Sequence, residues 1–310
     1  MSVSTADAPL FRFTNDELAR PLPAAIREAR DDLPAIVADI LAIPESALER
    51  EWAWIAGAEE GVRYGAYRVY ELFERAEVDA ARRMRASGAE DGLAAAIIGP
   101  ADAARWDLHG LLAPLTDAEI DADPGGGEWS IRQTLGHIVN GQRAYAWATA
   151  WWQERGFAVN DPDLPTSLGD DFWAELPDEE TTEQEGTLDD IRERLDAIVD
   201  LSGERLAGLP EDRLSHGSRW SGFAVPVGFR LGRWSSHIRE HTIQVEKTLA
   251  MLGRAPSEPE RLARLTLAAY GRTEAVVFGQ PDSDNAAGII RAAVGEARGT
   301  IADARRAAEA

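Results

Sequence analysis

Apolar residues recur at helical spacing along most of this chain, and this periodicity restricts the fold more than any other feature. In the clearest case, from Thr187 to Leu209, an apolar side chain returns every three or four residues. These residues are Leu188, Ile191, Leu195, Ile198 and Leu201. Such a stripe is typical of one face of an amphipathic helix. Alternating strand-like runs bounded by Asn-Gly or Asp-Gly turns are missing. The sequence therefore predicts an all-α fold.

Start and stop signals place four helices in the middle of the chain. Ser130 and Gln133 have the spacing of a capping box, which predicts a helix that begins there and ends near Gly156. Three further helices are predicted by apolar spacing, over residues 93–115, 187–209 and 227–252. Gly253 is the expected stop of the last one. The four predicted helices are long enough to form a bundle.

The second and third of these helices are separated by about thirty residues, 157–186, rich in Pro, Asp and Glu. A connection of this length is uncommon in a compact domain unless it is functional or travels the length of a bundle. We favour a crossover, and we expect it to be a solvated loop rather than a lid over a site.

The sequence predicts three regions. Residues 91–256 form the four-helix bundle, and residues 1–90 form an N-terminal helical region. A faint repeat of the bundle's turn-and-helix pattern in that region places Val62 where His137 lies in the bundle. This predicts a degenerate, metal-free helix pair, on which a C-terminal helical extension, residues 257–310, packs.

Charge and residue usage exclude several classes of function. The chain has 32 basic and 54 acidic residues, so its net charge of −22 repels nucleic acids and anionic membranes. It has no cysteine, which excludes disulfides, thiolate zinc clusters and a cysteine nucleophile. A thiol in the chemistry would have to be a cosubstrate. The first residues lack a signal-peptide pattern and no apolar run is long enough to span a bilayer, so we expect a cytoplasmic protein.

Three histidines form the candidate functional site. His237 and His241 are one turn apart and share a helix face, and His137 is carried by a different helix. Imidazole nitrogens bind a divalent transition metal at about 2.0–2.1 Å, and three protein ligands leave a position for water or substrate. That arrangement is typical of a catalytic metal site.

Polar neighbours of these histidines support the metal hypothesis. Helical geometry places Arg233, Trp234 and Glu240 near the face of His237 and His241, and Asn140 near His137. A polar patch on a buried bundle face costs stability unless it is satisfied, which a metal would do. Glu240 is the candidate acid, base or orienting carboxylate. The candidate substrate-binding residues are Trp234, Arg233 and Asn140.

Other interpretations of the histidines stay open. Two histidines at helical spacing also occur on solvated faces or as hydrogen-bonded core residues. The segment HIREH matches the H-x-x-E-H pattern of inverzincin proteases, which we disfavour because those enzymes are not helical bundles. Two further histidines are not expected to be ligands. We expect His109 to be a satisfied core or boundary residue and His216 to be exposed.

The run LTDAEIDADPGGGEWSIRQTLGHI and the later HIREHTIQVEKTLAMLG resemble the DinB-like superfamily, also called YfiT-like, of metal-dependent enzymes. The resemblance covers about residues 93–254. It implies an up-down-down-up four-helix bundle with a long crossover between helices 2 and 3. It also implies a three-histidine site for Zn or Ni, whose ligands correspond to His137, His237 and His241.

The resemblance does not determine the reaction. Similar proteins include low-molecular-weight thiol S-transferases, thiol-dependent maleylpyruvate isomerases, hydrolases of reactive electrophiles, and members without known activity. Our leading hypothesis is an enzyme whose divalent metal activates a water or a low-molecular-weight thiol for attack on a small electrophile. The competing hypothesis is a non-catalytic metal- or small-ligand-binding helical module. The flanking regions are a candidate homodimer contact.

Overall fold

The helices of this protein pack in two groups. A computed structural model describes residues 22–88, 92–174 and 176–310. The remaining residues, among them the first 21 of the predicted N-terminal region, lie outside this description. The α-helices are α1 (Ala24–Leu41), α2 (Arg63–Ala86), α3 (Leu93–Leu112), α4 (Asp117–Ile120), α5 (Ile131–Arg155), α6 (Asp170–Ala174), α7 (Leu188–Leu206), α8 (Glu211–Leu214), α9 (Val227–Met251), α10 (Glu258–Ala275) and α11 (Asp284–Glu309). The strands are β1 (Glu51–Ala53), β2 (Glu59–Gly61), β3 (Gly217–Trp220) and β4 (Phe223–Pro226). The all-α prediction is confirmed.

Local signals in the sequence explain where the bundle helices begin and end. The side chain of Ser130 accepts a hydrogen bond from the backbone N–H of Gln133, and Oε1 of Gln133 accepts one from the backbone N–H of Ser130. Thr187 caps α7 in the same way. At the other end of α5, Gly156 adopts a left-handed conformation with φ of 61°, which stops the helix. These caps fix which faces of α5 and α7 point inward.

The first group is the bundle formed by α3, α5, α7 and α9. Both α7 and α9 pack against α3 and against α5, so the four helices surround one apolar core. Fully buried residues of that core come from each helix: Leu108, Ile138, Ile198 and Ile238. The predicted four-helix bundle is therefore confirmed, with the long crossover joining α5 to α7.

The second group consists of the flanking helices α1, α2, α10 and α11. In this group α11 packs against α1 and α2, and α10 packs against α2 and also against α3. A second apolar core lies between them and includes Ile36, Phe73, Leu267 and Ile290. No helix in the described part of the chain has the length and apolar character of a membrane-spanning segment. The origin of α1 and α2 as a degenerate helix pair stays a prediction.

A buried cluster of charges joins the two groups. Arg105 of α3 contacts Asp102 and lies 2.7 Å from Asp200 Oδ1 and 3.1 Å from Glu274 Oε1. Arg30 of α1 binds the last two carboxylates as well. Burial opposes the positive charge of Arg105, but the nearby carboxylates outweigh burial and raise its pKa. The seam between the groups is thus held by paired charges.

Three expectations about local structure need comment. His109 is buried and its Nε2 lies 2.7 Å from Asp196 Oδ1, so it is the satisfied core histidine that we expected. His216 is half-buried, with Nδ1 donating to the Gln153 carbonyl at 3.2 Å, and the prediction that it is exposed was wrong. The two short strand pairs of the described residues were not predicted from the sequence. β3 and β4 form a hairpin whose turn residues, Ser221 and Gly222, have φ of 46° and 85°. Two positive φ values suit a hairpin turn, which Ser-Gly supplies here in place of Asn-Gly.

We expect Arg105→Met to lower the free energy of unfolding by about 3–5 kcal/mol, because it leaves the buried carboxylate of Asp102 without its positive partner, while Asp200 and Glu274 keep only Arg30. Urea denaturation followed by far-UV circular dichroism would measure this change. The control is Arg298→Gln, which removes a mostly exposed partner of Asp32 and should change stability by about 0.5 kcal/mol or less. Equal losses in both variants would contradict the role of the buried cluster.

Candidate metal centre

Three imidazole rings meet between α5 and α9, in the core of the bundle. The ring centroids of His137 and His237 are 5.2 Å apart, those of His137 and His241 4.7 Å, and those of His237 and His241 4.4 Å. One nitrogen of each ring lies within 4.8 Å of the corresponding nitrogen of the other two. Nitrogens that share a metal at about 2.1 Å are at most about 4.2 Å apart. Small side-chain rotations therefore suffice to bring the three onto one ion.

The environment keeps two of these rings, those of His237 and His241, neutral. Burial, followed by repulsion from His241 and His137, lowers the pKa of His237 to about 2. The pKa of His241 is also lowered, and burial is again the largest cause. Because a neutral imidazole is the form that binds a metal, no proton has to leave these two rings at neutral pH.

Gly141, one turn after His137 on α5, makes room for the ring of His237. A methyl group built on Gly141 would overlap Cε1 of that ring. Glycine in a helix interior costs about 1 kcal/mol relative to alanine, so its presence here has a packing reason. Our sequence analysis missed this residue. The signal was a glycine four residues after the histidine, within a strong helical pattern.

Hydrogen bonds hold the ring nitrogens that face away from the cluster. His137 Nδ1 lies 3.2 Å from each carboxylate oxygen of Glu179. His241 Nδ1 donates to Gln244 Oε1 at 2.8 Å. With Nδ1 so engaged, Nε2 of each ring is left for the cluster. A carboxylate bonded to the outer nitrogen is typical of a metal-binding histidine, because it orients the ring and raises its basicity.

Glu179 reaches His137 because the end of the crossover is anchored on α5. Glu179 is the first residue of a π-helical turn, Glu179–Glu183. The last residue of this turn, Glu183, is fully buried and lies 2.7 Å from Arg143 in an ion pair. Next to that turn, Asn140 Nδ2 donates to the Pro177 carbonyl at 3.2 Å. The expectation of a solvated loop is wrong for this part of the crossover, which covers the His137 side of the cluster. Sequence reasoning missed Glu179 because nothing local pairs it with a histidine 42 residues away.

The other predicted site residues lie on the same two helices as the histidines, Asn140 on α5 and the rest on α9. Arg233 binds both carboxylate oxygens of Glu240, at 2.8 and 2.9 Å. This hydrogen bonding is the largest cause that lowers the pKa of Glu240. Trp234 is almost fully buried in the bundle core. Asn140 supports the crossover, as described above. The catalytic role of Glu240 and the substrate-binding roles of Trp234, Arg233 and Asn140 stay predictions.

Two aromatic rings flank the histidines. The ring centroid of Trp129 is 5.2 Å from that of His137, and the ring of Tyr145 lies edge-on to His237 at 5.1 Å. Burial is the largest cause that raises the pKa of the Tyr145 hydroxyl, which therefore stays protonated at neutral pH. The cluster thus lies between apolar ring surfaces, with one phenol close to it.

A second group of possible ligands, Asp102, Asp200 and Glu274, lies at the seam between the helix groups. The guanidinium groups of Arg105 and Arg30 already bind these carboxylates. Positive side chains therefore take the place that a cation would need, and the three histidines are the better metal site.

Comparison with known proteins agrees with this geometry. Residues 101–245 match the family model of the DinB superfamily. This part of the chain belongs to the DinB superfamily. The match spans just under half of the 310 residues and includes all three histidines. Neither the curated proteins nor the solved structures gave a match. The DinB-like segment therefore contains the candidate metal centre, whereas the flanking helices extend beyond it.

We expect Gly141→Ala to weaken zinc binding about tenfold or more, because the added methyl group displaces the ring of His237 from the cluster. Competition titration with a chromogenic chelator would measure the affinity. Gly299→Ala on α11 is the matched control, since a methyl group there meets no atom within 4 Å. Unchanged zinc affinity in Gly141→Ala would show that this close packing is not needed for the site.

Proposed function

We propose that His137, His237 and His241 hold one divalent transition metal, Zn or Ni, and that the protein is a metal-dependent enzyme of the thiol S-transferase or hydrolase type. The observation that carries this proposal is the convergence of three rings, two of which, His137 and His241, already have a hydrogen-bond partner on Nδ1. When bound, a divalent metal lowers the pKa of a water or thiol that joins it, so that a nucleophile forms near neutral pH.

The donor set fits such an ion. Three neutral imidazoles suit Zn and Ni, and three protein ligands leave a position for a small molecule. The nitrogens of the three rings that lie within 4.8 Å of one another could all bind the same ion. The carboxylate of Glu179 stabilises the proton on Nδ1 of His137 and so fixes the tautomer that coordinates through Nε2.

Residues of this chain would prepare the attack on the substrate. Glu179 and Gln244 orient two of the rings through hydrogen bonds to their Nδ1 atoms. Glu240 is the candidate group for proton transfer. Because Arg233 lowers its pKa, Glu240 is ionised at neutral pH and would act as a base or an orienting carboxylate, not as an acid. Arg233, Trp234 and Asn140 remain the candidate substrate contacts.

A non-catalytic metal- or ligand-binding module is the second candidate. The observation that favours it is the anchoring of the crossover over His137, since a covered metal is less accessible to a substrate. The two candidates differ in one measurable respect. A module binds the metal without turnover, whereas an enzyme loses turnover when the metal is removed.

We expect the untagged protein to bind about one equivalent of zinc or nickel, and His137→Ala to bind less than about a tenth of an equivalent. Metal analysis by mass spectrometry measures both. Conjugation of a reactive electrophile, with and without mycothiol or bacillithiol, should fall to background in the same variant. The control is His216→Ala, which removes a histidine outside the cluster. Equal turnover after His137→Ala would contradict the enzyme proposal.

We expect Glu179→Gln to weaken metal binding by about 10–100-fold, because the amide no longer stabilises the proton on Nδ1 of His137. Glu180→Gln is the matched control, since Glu180 is the exposed neighbour on the same turn. Equilibrium dialysis against zinc would compare the two variants. A similar loss in both would mean that general charge, rather than the contact with His137, determines the affinity.

A further inference from the structure

Arg230 is a buried arginine, and no carboxylate among the described side chains is paired with it. It lies on α9, two turns before His237 on the same helix face, and only 6% of its surface is exposed. Its Nη1 donates to the carbonyl of Arg219, and its Nε has no hydrogen-bond partner. Among the side chains that the structure describes, the phenol of Tyr145 is the group that interacts electrostatically with its guanidinium, and none of the carboxylates forms an ion pair with it. Burial lowers the pKa of Arg230 to about 10, so it remains charged at neutral pH.

An unpaired buried charge is unusual, and other buried arginines of this chain are paired. Arg105 binds three buried carboxylates, and Arg143 binds Glu183. Carboxylates are abundant, because the chain has 54 acidic residues against 32 basic ones. A buried guanidinium without an acidic partner is costly unless something supplies the missing charge. This points to a ligand that carries the anion.

Aromatic rings connect Arg230 to the histidine cluster. Its Cζ lies 5.5 Å from the ring centroid of Trp220 on β3. The ring of Trp220 is 5.4 Å from that of Tyr145, which in turn contacts His237 at 5.1 Å. A ligand seated along Trp220 and Tyr145 would thus reach from Arg230 towards the three histidines.

The rim of this region is apolar and accessible. Phe229 packs near Trp220, with ring centroids 6.2 Å apart, and 42% of its surface is exposed. Phe223, at the start of β4, is 72% exposed. Arg233 also lies over Trp220, at 4.9 Å, but its charge is already paired with Glu240. One positive charge is therefore left over, that of Arg230.

We propose that Arg230, Trp220 and Tyr145 form a subsite for the carboxylate of a small organic ligand whose apolar body stacks on Trp220. A planar guanidinium matches a carboxylate with two parallel hydrogen bonds, and the aromatic rings suit an unsaturated or aromatic body. Arg230 and His237 are seven positions apart, which corresponds to a rise of about 10 Å along the helix. The ligand would therefore carry its carboxylate about that distance from its reacting end.

The subsite itself does not require a metal, and only the identification of this ligand as the substrate rests on the proposed function. The test uses the full-length protein stripped of metal with EDTA, titrated with cinnamate and with its neutral analogue cinnamamide. Tryptophan fluorescence and calorimetry measure binding. We expect saturable binding of cinnamate, and binding of cinnamamide weaker by about tenfold or more, since only the anion pairs with Arg230.

Variants separate this subsite from general charge and from the metal centre. Arg230→Gln should weaken cinnamate binding about tenfold or more, and Arg230→Lys should weaken it less. Arg239→Gln, which removes an exposed arginine of the same helix, should leave binding unchanged. Thermal unfolding confirms that each variant is folded, and Arg230→Gln should not lower the midpoint, because it removes an unpaired buried charge.

Binding of cinnamate by the variants separates the Arg230 subsite from the proposed metal centre. Cinnamate binding that survives in His137→Ala and is lost in Arg230→Gln supports the subsite, even if no metal binds and the proposed function fails. Three results would overturn the proposal: no saturable binding of cinnamate, equal binding of cinnamamide, or full binding by Arg230→Gln. Tighter binding of inorganic phosphate than of cinnamate would overturn the assignment to an organic carboxylate.

Discussion

The ion pair between Arg143 and Glu183 is the interaction on which the candidate centre depends. Both side chains are fully buried, and the pair joins α5 to the π-helical turn of the crossover. Such a pair adds little net stability compared with apolar residues, but removing one partner leaves a buried charge that costs about 3–5 kcal/mol. We infer that its main effect is to select one path for the crossover. That path places Glu179 next to His137. The 2.7 Å ion pair between Arg143 and Glu183 therefore positions the carboxylate that binds Nδ1 of His137.

The parts of this site that could be predicted from the sequence are those that follow local rules. The four-residue spacing of His237 and His241 fixes their common face, and the capping box at Ser130 fixes the phase of the helix that carries His137. Gly141 and Glu179 could not be predicted in this way. Their roles depend on how closely α5 approaches α9 and on the route of thirty crossover residues, and both are tertiary properties.

The seam between the two helix groups illustrates the same limit for charged residues. The helices of both groups follow from apolar spacing, but the buried cluster gathers charged residues from four helices, α1, α3, α7 and α10. On one helix taken alone, a charged residue such as Asp200 or Glu274 indicates a solvated face. Only the packing of one polar stripe against another shows that these charges neutralise each other. Apolar periodicity identifies the helix face that is buried within its own bundle. It does not identify the face that contacts a neighbouring bundle.

Helix α9 combines these features along one face and relates the proposed ligand subsite to the candidate metal centre. Arg230 lies at one end, Arg233 with its partner Glu240 in the middle, and His237 and His241 beyond them. Burial is the largest cause of the low pKa of His237, and positive charge from Arg233 also contributes. The unpaired charge of Arg230, two turns away on the same helix face, opposes a divalent cation at the histidines. A ligand carboxylate on Arg230 would offset this charge and favour the cation, and by thermodynamic reciprocity a bound cation would favour the carboxylate. The unpaired arginine therefore gives the two proposed sites a physical means of coupling.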